Sequence, residues 1–479
     1  MLRLFDTATA TVRPLELRET GRVSMYVCGP TVYDVPHLGH GRSTLVFDVL
    51  RRYLTFLGLQ VRHVSNVTDV DDKIIARAAA TGRSEAAVAA EQEVAWWRAM
   101  DALGVLRPTA TPHATAYVGP MVDLVADLVR RGAAYVTPDG VYLQVEQVPG
   151  YGLLARQPLA SLRAGARVEA GEHKRSPLDF ALWKKAKPGE PAWDSPWGPG
   201  RPGWHTECVV MSLELLGEGF DLHGGGRDLA FPHHENERAQ ALAEGKAFAR
   251  HWVHHGWVEV EGEKMSKSEG NFMSLPDLLA RSDARAYRLL VLRAHYRSPI
   301  EVDPGTVEQA ERALQRLDAL ARRFDLADPL AEGDGVVVLG ATSSAGAAPD
   351  LVAKFRERMD DDLDTPAAVA GIFELVNQAN ATADSGDTPR ASVLARTAAV
   401  LCGVLGLRLQ GRQADVVDDW AARLVAERDE ARAARDFERA DRLRDELVEA
   451  GWVVEDHSGG TRIHRRGEQA GVDPPGGPC

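Results

Sequence analysis

The first regular pattern in the chain is an apolar run followed by an amphipathic stretch. Residues 22–28 are β-favouring and end at Gly29 and Pro30, which predicts a strand closed by a turn. From Leu38 to Leu57 apolar residues recur at steps of three and four, and this spacing predicts a helix that Gly58 stops. Residues 59–64 then alternate like a second strand. The order strand, helix, strand predicts a parallel βαβ unit.

The loop between that strand and its helix carries the first candidate chemistry. In parallel units ligands bind beyond the carboxyl ends of the strands, where Cys28 and residues 66–69 would lie. His37 and His40 flank Gly39 at the start of the helix. Imidazoles can donate to phosphate oxygens, a helix N-terminus favours an anion, and a glycine leaves room for a base or ribose. The pattern favours a polyphosphate site; a turn with two surface histidines is the alternative.

Later parts of the chain differ in pattern. Residues 116–200 look like an insertion into the first domain, and the Pro/Gly/Trp-rich residues 187–203 predict irregular structure. From about residue 305 the chain becomes helical, with predicted breaks at residues 334–349, a Gly/Ala/Ser-rich loop, and at 385–389. A helical run over residues 420–450 then precedes a predicted hairpin, residues 452–455 and 461–464.

Composition narrows the class of protein. The 479 residues suggest roughly three domains, and the net charge of -13 argues against general coating of nucleic acid, although one RNA could still be held by a local patch. Four cysteines (Cys28, Cys208, Cys402 and Cys479) are too few and too scattered for a disulfide framework, which favours a reducing cytoplasm. Without a signal peptide or a membrane-length apolar run, we expect a soluble protein.

A second motif gives the histidine loop a partner. The sequence Lys-Met-Ser-Lys-Ser at 264–268 follows a predicted strand, and two lysines on a mobile loop can close over a pyrophosphate leaving group. Alone, it would be explained by a solvated basic loop. Together with His-Leu-Gly-His at 37–40 it resembles the two signature motifs of class I aminoacyl-tRNA synthetases. The resemblance implies a Rossmann-like catalytic domain in which His37, His40, Lys264 and Lys267 act catalytically and His37, Gly39, His40 and Lys267 bind ATP.

A candidate metal site comes from scattered residues. His233 and Glu237 are four apart, so on a helix both side chains would project from one face and could hold one ion. Cys28 and Cys208 could complete a site with sulfur, nitrogen and oxygen ligands. The spacing leaves His234 as an alternative ligand, and isolated cysteines are more often buried core residues.

Longer sequence words resemble one member of the class, the cysteinyl-tRNA synthetase family. They lie at residues 26–34, 66–73, 178–184, 201–208 and 221–226. The resemblance implies one zinc ion per chain, held by Cys28, Cys208, His233 and Glu237, that binds the substrate thiolate directly. It also implies that Thr68, Trp204, His223 and Asp228 surround the cysteine. A soft thiolate bonds zinc readily, whereas serine's alcohol must lose a proton at far greater cost, so the metal would select the substrate.

The implied reaction has two steps. Cysteine's carboxylate attacks the α-phosphate of ATP with Mg²⁺ present, and the cysteinyl group then passes to the terminal adenosine of tRNA(Cys). We expect a cytoplasmic monomer that binds L-cysteine, ATP and tRNA(Cys) and no membrane. The expected units are a split catalytic domain with a parallel sheet (1–115 and 201–275), a connective insertion (116–200), a stem-contact region (276–305), a helical bundle (306–410), a small mixed α/β anticodon-binding domain (411–466) and a disordered tail (467–479).

Three rival functions stay open at this point. A related ligase would join cysteine to an amino sugar in thiol biosynthesis, but such ligases lack a complete anticodon-binding end, which residues 431–447 and 461–466 resemble. That region is not basic on average, so its assignment rests on the resemblance and on Arg462, Arg465 and Arg466. A zinc hydrolase would leave both signature loops unexplained. A catalytically dead RNA-binding relative would not need them intact.

Overall fold

The computed structural model describes residues 1–157, 173–260, 263–264, 273–331, 335–343, 345–411, 419–457 and 460–465. Its strands are β1 Arg3–Asp6, β2 Thr11–Pro14, β3 Arg22–Val27, β4 Gln60–Ser65, β5 Ala134–Thr137, β6 Gly140–Leu143, β7 Phe180–Lys185, β8 Gly200–Pro202, β9 Leu222–Gly226, β10 His251–His255, β11 Val258–Val260, β12 Glu263–Lys264, β13 Ile300–Glu301, β14 Trp452–His457 and β15 Gly460–Arg465.

The helices of the described residues are α1 Leu38–Phe56, α2 Asp72–Thr81, α3 Glu85–Ala102, α4 Val118–Arg130, α5 Trp204–Leu216, α6 Glu235–Ala243, α7 Leu275–Leu279, α8 Ala284–Leu292, α9 Pro304–Arg323, α10 Leu339–Thr342, α11 Pro349–Asp360, α12 Thr365–Asp384, α13 Thr388–Val404, α14 Asp419–Ala433 and α15 Phe437–Glu449. Among them, no helix is both long enough and apolar enough to cross a lipid bilayer.

The central sheet is parallel, in the order β10-β9-β3-β4. Strand β3, helix α1 and strand β4 form the predicted βαβ unit, and Gly58 follows the helix with φ +86°, a left-handed conformation that suits glycine. Cys28 comes directly after β3, and β9 and β10 end at the same edge, at Gly226 and His255. The carboxyl ends of three strands therefore gather the candidate chemistry at one edge.

The expected insertion contains an antiparallel sheet in the order β5-β6-β7-β8, flanked by α4. The prediction that residues 187–203 are irregular is wrong at its end, because β8 pairs with β7. Gly200 explains why the pattern missed this strand. A Cβ atom at Gly200 would lie 2.3 Å from the carbonyl oxygen of Lys184, so the pairing requires glycine at this position. Glycine has no side chain and therefore adds nothing to an alternating apolar pattern.

The helical part of the chain shares its apolar core with the central sheet. Buried side chains of α1, α8, α9 and α11 to α13 belong to one apolar cluster. The break predicted at 385–389 is confirmed between α12 and α13, whereas the loop predicted at 334–349 contains the short helix α10; residues 334 and 344 lie outside the described chain.

The C-terminal part has a small core of its own, formed by Ala421, Leu424, Leu443, Leu447 and Trp452. The predicted hairpin is confirmed by the pairing of β14 with β15. The helical run predicted over residues 420–450 is two helices, because Arg435 takes a positive φ of 61° between α14 and α15. The predicted tail, 467–479, and Arg466 lie outside the described residues, as do the side chains of Arg462 and Arg465.

A cluster of buried charged side chains joins helix α1, which packs on the central sheet, to the helices that follow residue 284. The carboxylate of Asp48, on α1, accepts hydrogen bonds from Arg52 Nε at 2.8 Å, Arg288 Nη1 at 2.6 Å and the backbone N–H of Leu106 at 2.9 Å. Arg288 also donates to the carbonyl of Leu405 after α13. Although burial opposes ionisation, the two guanidinium groups hold the pKa of Asp48 below its usual value.

We predict that Asp48→Asn lowers the free energy of unfolding by about 3–5 kcal/mol, because two buried guanidinium groups lose their counter-charge. Urea denaturation followed by fluorescence measures the effect. The control is Asp101→Asn, which removes the carboxylate of an exposed ion pair with Arg107 and should cost less than about 1 kcal/mol. Equal losses in the two variants would contradict the prediction.

Candidate functional site

The histidine loop opens helix α1. His37 is the N-cap residue; its side chain accepts from the backbone N–H of His40, and the His40 side chain accepts from the backbone N–H of His37. The two rings stack with centroids 3.6 Å apart. A Cβ atom at Gly39 would lie 2.9 Å from His37 Cε1, so only glycine allows this arrangement. Two imidazoles thus meet at a helix N-terminus, a position that favours an anion.

The lysine motif follows β11. Strands β11 and β12 form an antiparallel hairpin that ends at Lys264, whose backbone is described, while its side chain and all of Lys267 lie outside the described residues. Where the chain is described again, Ser274 forms a bridge to His37, and Leu275 donates its backbone N–H to the carbonyl of Pro36 at 2.8 Å. The segment after the motif is therefore attached to the histidine turn.

Four predicted ligands converge beyond the end of β3. Cys28 Sγ lies 3.7 Å from Cys208 Sγ and 3.5 Å from Glu237 Oε1. His233 Nε2 lies 3.6 Å from Cys208 Sγ and 3.0 Å from Glu237 Oε1. Each residue offers one donor atom, and the four atoms all lie within 4.8 Å of one another. Cys28 comes from the sheet, Cys208 from α5, His233 from the turn before α6 and Glu237 from α6.

Two further histidines border this group. Cys28 Sγ lies 3.3 Å from His234 Nε2, and His223 Nε2 lies 2.8 Å from Glu237 Oε2, so Cys28, His223, His234 and Glu237 form a second set within metal-ligating reach. The alternative ligand that the spacing left open is thus present. The donor set suits a metal that takes sulfur and nitrogen ligands, because two thiols, buried imidazoles and one carboxylate converge.

Burial controls the protonation of the donors. It raises the pKa of the Cys28 thiol well above its usual value, with the neighbouring Cys208 adding to the shift, and it also raises the pKa of Cys208. Burial lowers the pKa of His233 and His234 well below that of free imidazole. The imidazoles are therefore neutral, which is the form that binds metals. A bound cation would stabilise the thiolates, so that the two thiols would release their protons when it binds.

Trp204 and His205 lie against the predicted ligand His233. The Trp204 ring stacks on the His233 ring at 4.0 Å between centroids, and 38% of the Trp204 side chain is exposed. His205 Nδ1 lies 2.7 Å from His233 Nδ1, which fixes the edge of the ring that faces away from the cluster. His205 was not among the predicted site residues, although it lies within the sequence word at 201–208.

Thr68 lies in a buried hydrogen-bond chain beside the cluster. Asn66 accepts from the backbone N–H of Gly29 at 2.9 Å and donates to Thr68 Oγ1 at 3.2 Å. Thr68 donates to Glu207 Oε2 at 2.7 Å. Burial raises the pKa of Glu207 well above its usual value, and Asp71 adds to the shift. Sequence reasoning missed Glu207, because nothing in its spacing distinguishes it from other residues in the first turn of a helix.

The fourth predicted substrate residue lies apart. Asp228 is exposed on the loop after β9, and a Cβ atom on Gly226 would lie 2.5 Å from its carboxylate. His223, by contrast, is fully buried and contacts Glu237. The structure therefore brings Thr68, Trp204 and His223 to the cluster or its border and leaves Asp228 at the exposed edge of the sheet.

Comparisons with known proteins cover nearly the whole chain. Residues 14–312 match the family described as tRNA synthetases class I (C) catalytic domain, 354–410 match a DALR domain, and 416–466 match the cysteinyl-tRNA ligase anticodon binding domain. A solved structure of Mycobacterium tuberculosis methionyl-tRNA synthetase in complex with methionyl-adenylate is 16% identical, covers 81% of this chain and 90% of its own, and has a TM-score of 0.58. That likeness supports the class I fold.

Similar curated proteins share both sequence and length. The cysteine–tRNA ligase of Thioalkalivibrio sulfidiphilus is 45% identical over 97% of this chain and 100% of its own length. The cysteine–tRNA ligase of Geobacter sulfurreducens is 44% identical over 96% of this chain and 98% of its own. The amino-sugar ligases are expected to lack a complete anticodon-binding end, so the match over residues 416–466 does not favour that alternative. The chain therefore belongs to the cysteine–tRNA ligase family of class I aminoacyl-tRNA synthetases.

Proposed function

We propose that the protein activates L-cysteine with ATP and transfers the cysteinyl group to the 3′-terminal adenosine of tRNA(Cys), releasing AMP and diphosphate. The observation that carries the proposal is the convergence of Cys28, Cys208, His233 and Glu237 at the edge of the sheet where the histidine turn also opens. Activation of cysteine by ATP requires a thiol-binding group and a phosphate-binding group that act on one substrate, and the parallel sheet brings the two candidates to the same edge.

The proposed metal is zinc, one ion per chain. The donor set fits it, because zinc accepts thiolate, imidazole and carboxylate together and the histidines here are neutral. When bound, zinc supplies a Lewis-acid site that prefers cysteine's thiolate over serine's alcohol. Glu237 contributes orientation as well as charge, because its second oxygen is held by His223 at 2.8 Å.

The walls of the cysteine pocket are proposed from the same contacts. Trp204 is half-exposed on His233 and can cover the substrate side chain, while Thr68 presents a hydroxyl fixed by Glu207. Asp228 stays a proposed substrate contact; its exposed carboxylate at the end of β9 suits an amino or ribose group better than the thiol.

The phosphate side is proposed to use His37, Gly39 and His40 with Lys264 and Lys267, and Mg²⁺ accompanies ATP. The imidazoles and the N-terminus of α1 would hold the polyphosphate. The lysines would neutralise charge as pyrophosphate leaves. The attachment of Ser274 and Leu275 to the histidine turn supports this assignment, since it keeps the segment after the lysines near α1.

The RNA side is assigned to the rest of the chain. We propose that residues 276–305 contact the acceptor stem, 306–410 brace the tRNA and 411–466 read the anticodon. Phe437 supports the last role, because it is 64% exposed at the start of α15, and exposed aromatic rings are platforms for unpaired bases. We also propose a cytoplasmic location, which suits the free thiols of Cys28, Cys208 and Cys402.

The decisive experiment offers the purified protein two acceptors. With cysteine and ATP, it should charge tRNA bearing a GCA anticodon and leave a glucosaminyl-inositol acceptor unmodified. Labelled cysteine followed by acid precipitation and chromatography measures both products. Transfer to the amino sugar alone would replace the proposal with the thiol-biosynthesis ligase, and product release without ATP would favour a hydrolase.

Metal content provides the first specific prediction of the proposed function. The purified protein should carry about one zinc per chain, and Cys208→Ser should lose both metal and cysteine activation, because one of four ligands is removed. Atomic emission and pyrophosphate exchange measure the two losses. The control is Cys402→Ser, a buried thiol on α13 away from the cluster, which should keep both properties. Normal cysteine affinity in a zinc-free Cys208→Ser protein would contradict the assignment.

Lys267 provides a second prediction. Lys267→Ala should slow adenylate formation by about a hundredfold, since its charge is needed most as pyrophosphate leaves. Cysteine affinity should change by less than about twofold, because the lost contact belongs to the transition state. Single-turnover kinetics and equilibrium binding separate the two quantities. Parallel losses would instead make Lys267 a ground-state or folding residue.

Removal of residues 411–479 should separate activation from charging. Pyrophosphate exchange should stay close to intact, because the cluster and histidine turn lie earlier and the C-terminal core is self-contained. Charging of tRNA should fall steeply, because distal contacts orient the acceptor end. In the full chain, Phe437→Ala should weaken charging alone. A loss of exchange in Phe437→Ala would count against a role confined to RNA.

A further inference from the structure

Arg42 is a buried arginine on α1 that no proposed step uses. It lies five residues after His37 and two after His40, and only 1% of it is exposed. Its guanidinium group donates to three backbone carbonyls: Nη1 to that of Trp257, and Nη2 to those of Tyr296, at 3.1 Å, and Ser298. One side chain of α1 therefore holds two distant segments of the chain.

The guanidinium group of Arg42 forms no ion pair among the described residues, and its Nε atom has no hydrogen-bond partner there. The carboxylate of Glu259, in β11, is near enough to favour the charge of Arg42. Burial lowers the pKa of Arg42 to about 10, so the group is still charged at neutral pH. A buried charge whose hydrogen bonds all go to neutral carbonyls is costly. Packing alone would be served as well by an apolar side chain.

The three carbonyls lie where the lysine hairpin, formed by β11 and β12, begins. That of Trp257 precedes β11, and those of Tyr296 and Ser298 precede β13, which pairs with β11. Trp257 directly precedes β11, which pairs with β12 and ends the hairpin at Lys264. The same Trp257 carbonyl accepts from the backbone N–H of Ile300 at 3.1 Å, where β13 pairs with β11. Gly256 allows the close approach, because a Cβ atom there would lie 2.5 Å from the carbonyl oxygen of Ser298.

The segment after the motif is also attached to α1. Leu275 donates to the carbonyl of Pro36, and the Tyr287 hydroxyl donates to the carbonyl of Leu38 at 2.6 Å. The described residues on both sides of the lysine motif are thus attached to α1 and its histidine turn, those before it by Arg42 and those after it by Leu275 and Tyr287.

We propose that Arg42 is a positioning residue that sets the lysine hairpin in register with His37 and His40 for the departure of pyrophosphate. The proposal rests on the adenylation reaction proposed above. Arginine is required because its planar fork reaches acceptors on two segments at once, whereas the ammonium of lysine is a point donor. Arg42 acts through Lys264 and Lys267 and does not itself contact the cysteine cluster in the described contacts.

The test compares Arg42→Lys and Arg42→Met with the wild-type enzyme. Both variants should slow single-turnover adenylate formation at least about tenfold, because small displacements of charged groups are costly in the transition state. Cysteine affinity should stay within about twofold of wild type. The control is Arg51→Met on the same helix, since Arg51 donates to the carbonyl of Arg107, away from the hairpin, and this variant should be as fast as wild type.

A mutant cycle with Lys264→Ala and Lys267→Ala combined distinguishes positioning from a general structural effect. If Arg42 acts through the two lysines, Arg42→Lys should slow the enzyme that lacks both of them by less than about twofold. Additive losses, equal loss of cysteine affinity, or wild-type rates in both Arg42 variants would overturn the inference. Failure of both variants to fold would also overturn it, by making Arg42 a folding residue. An inactive wild-type protein would instead refute the proposed function.

Discussion

Helix α1 buries three charged side chains, and each of them also bonds to a segment outside the helix. Arg42 donates to carbonyls at the base of the lysine hairpin, Asp48 accepts from Arg288, and Arg52 donates to the carbonyl of Gly104 before the bundle. A charge can be buried only where hydrogen bonds replace water. These hydrogen bonds therefore fix the orientation of the segments around α1, in addition to the apolar packing. The helix that opens with the histidine turn also orients the hairpin and bundle around it.

The candidate metal cluster depends on the same parallel sheet. Cys28 follows β3 directly, and the chain returns through β9 before reaching His233 and Glu237. Because parallel strands deliver their carboxyl ends to one edge, residues far apart in sequence become neighbours there. Cys208 reaches this edge from the side, on α5, whose first turn also supplies Trp204 and the partner of Thr68. The N-terminal part of one helix thus contributes a proposed ligand, one proposed pocket wall and the hydrogen-bond partner of Thr68.

Patterns with a strong period were predicted well from the sequence. The spacing of apolar residues located α1 within a residue or two, and the order of elements gave the parallel unit. Strand β8 was missed because Gly200 and Pro202 carry no alternation, and its pairing depends on a missing side chain rather than on one present. Glu207 and His205 were missed for another reason: their roles come from tertiary neighbours, Thr68 and His233, that local spacing cannot reveal.

The two overlapping donor sets are best understood as one site with an outer layer. Both contain Cys28 and Glu237, so the two sets overlap at one position. His223 lies 2.8 Å from Glu237 Oε2, and His234 Nδ1 lies 2.8 Å from His254 Nε2. Cys208 and His233 complete the other set with the shared pair, and His205 holds the outer edge of the His233 ring. A shared pair of ligands suits one ion per chain, with the histidines outside its ligand set placed to orient the ligands.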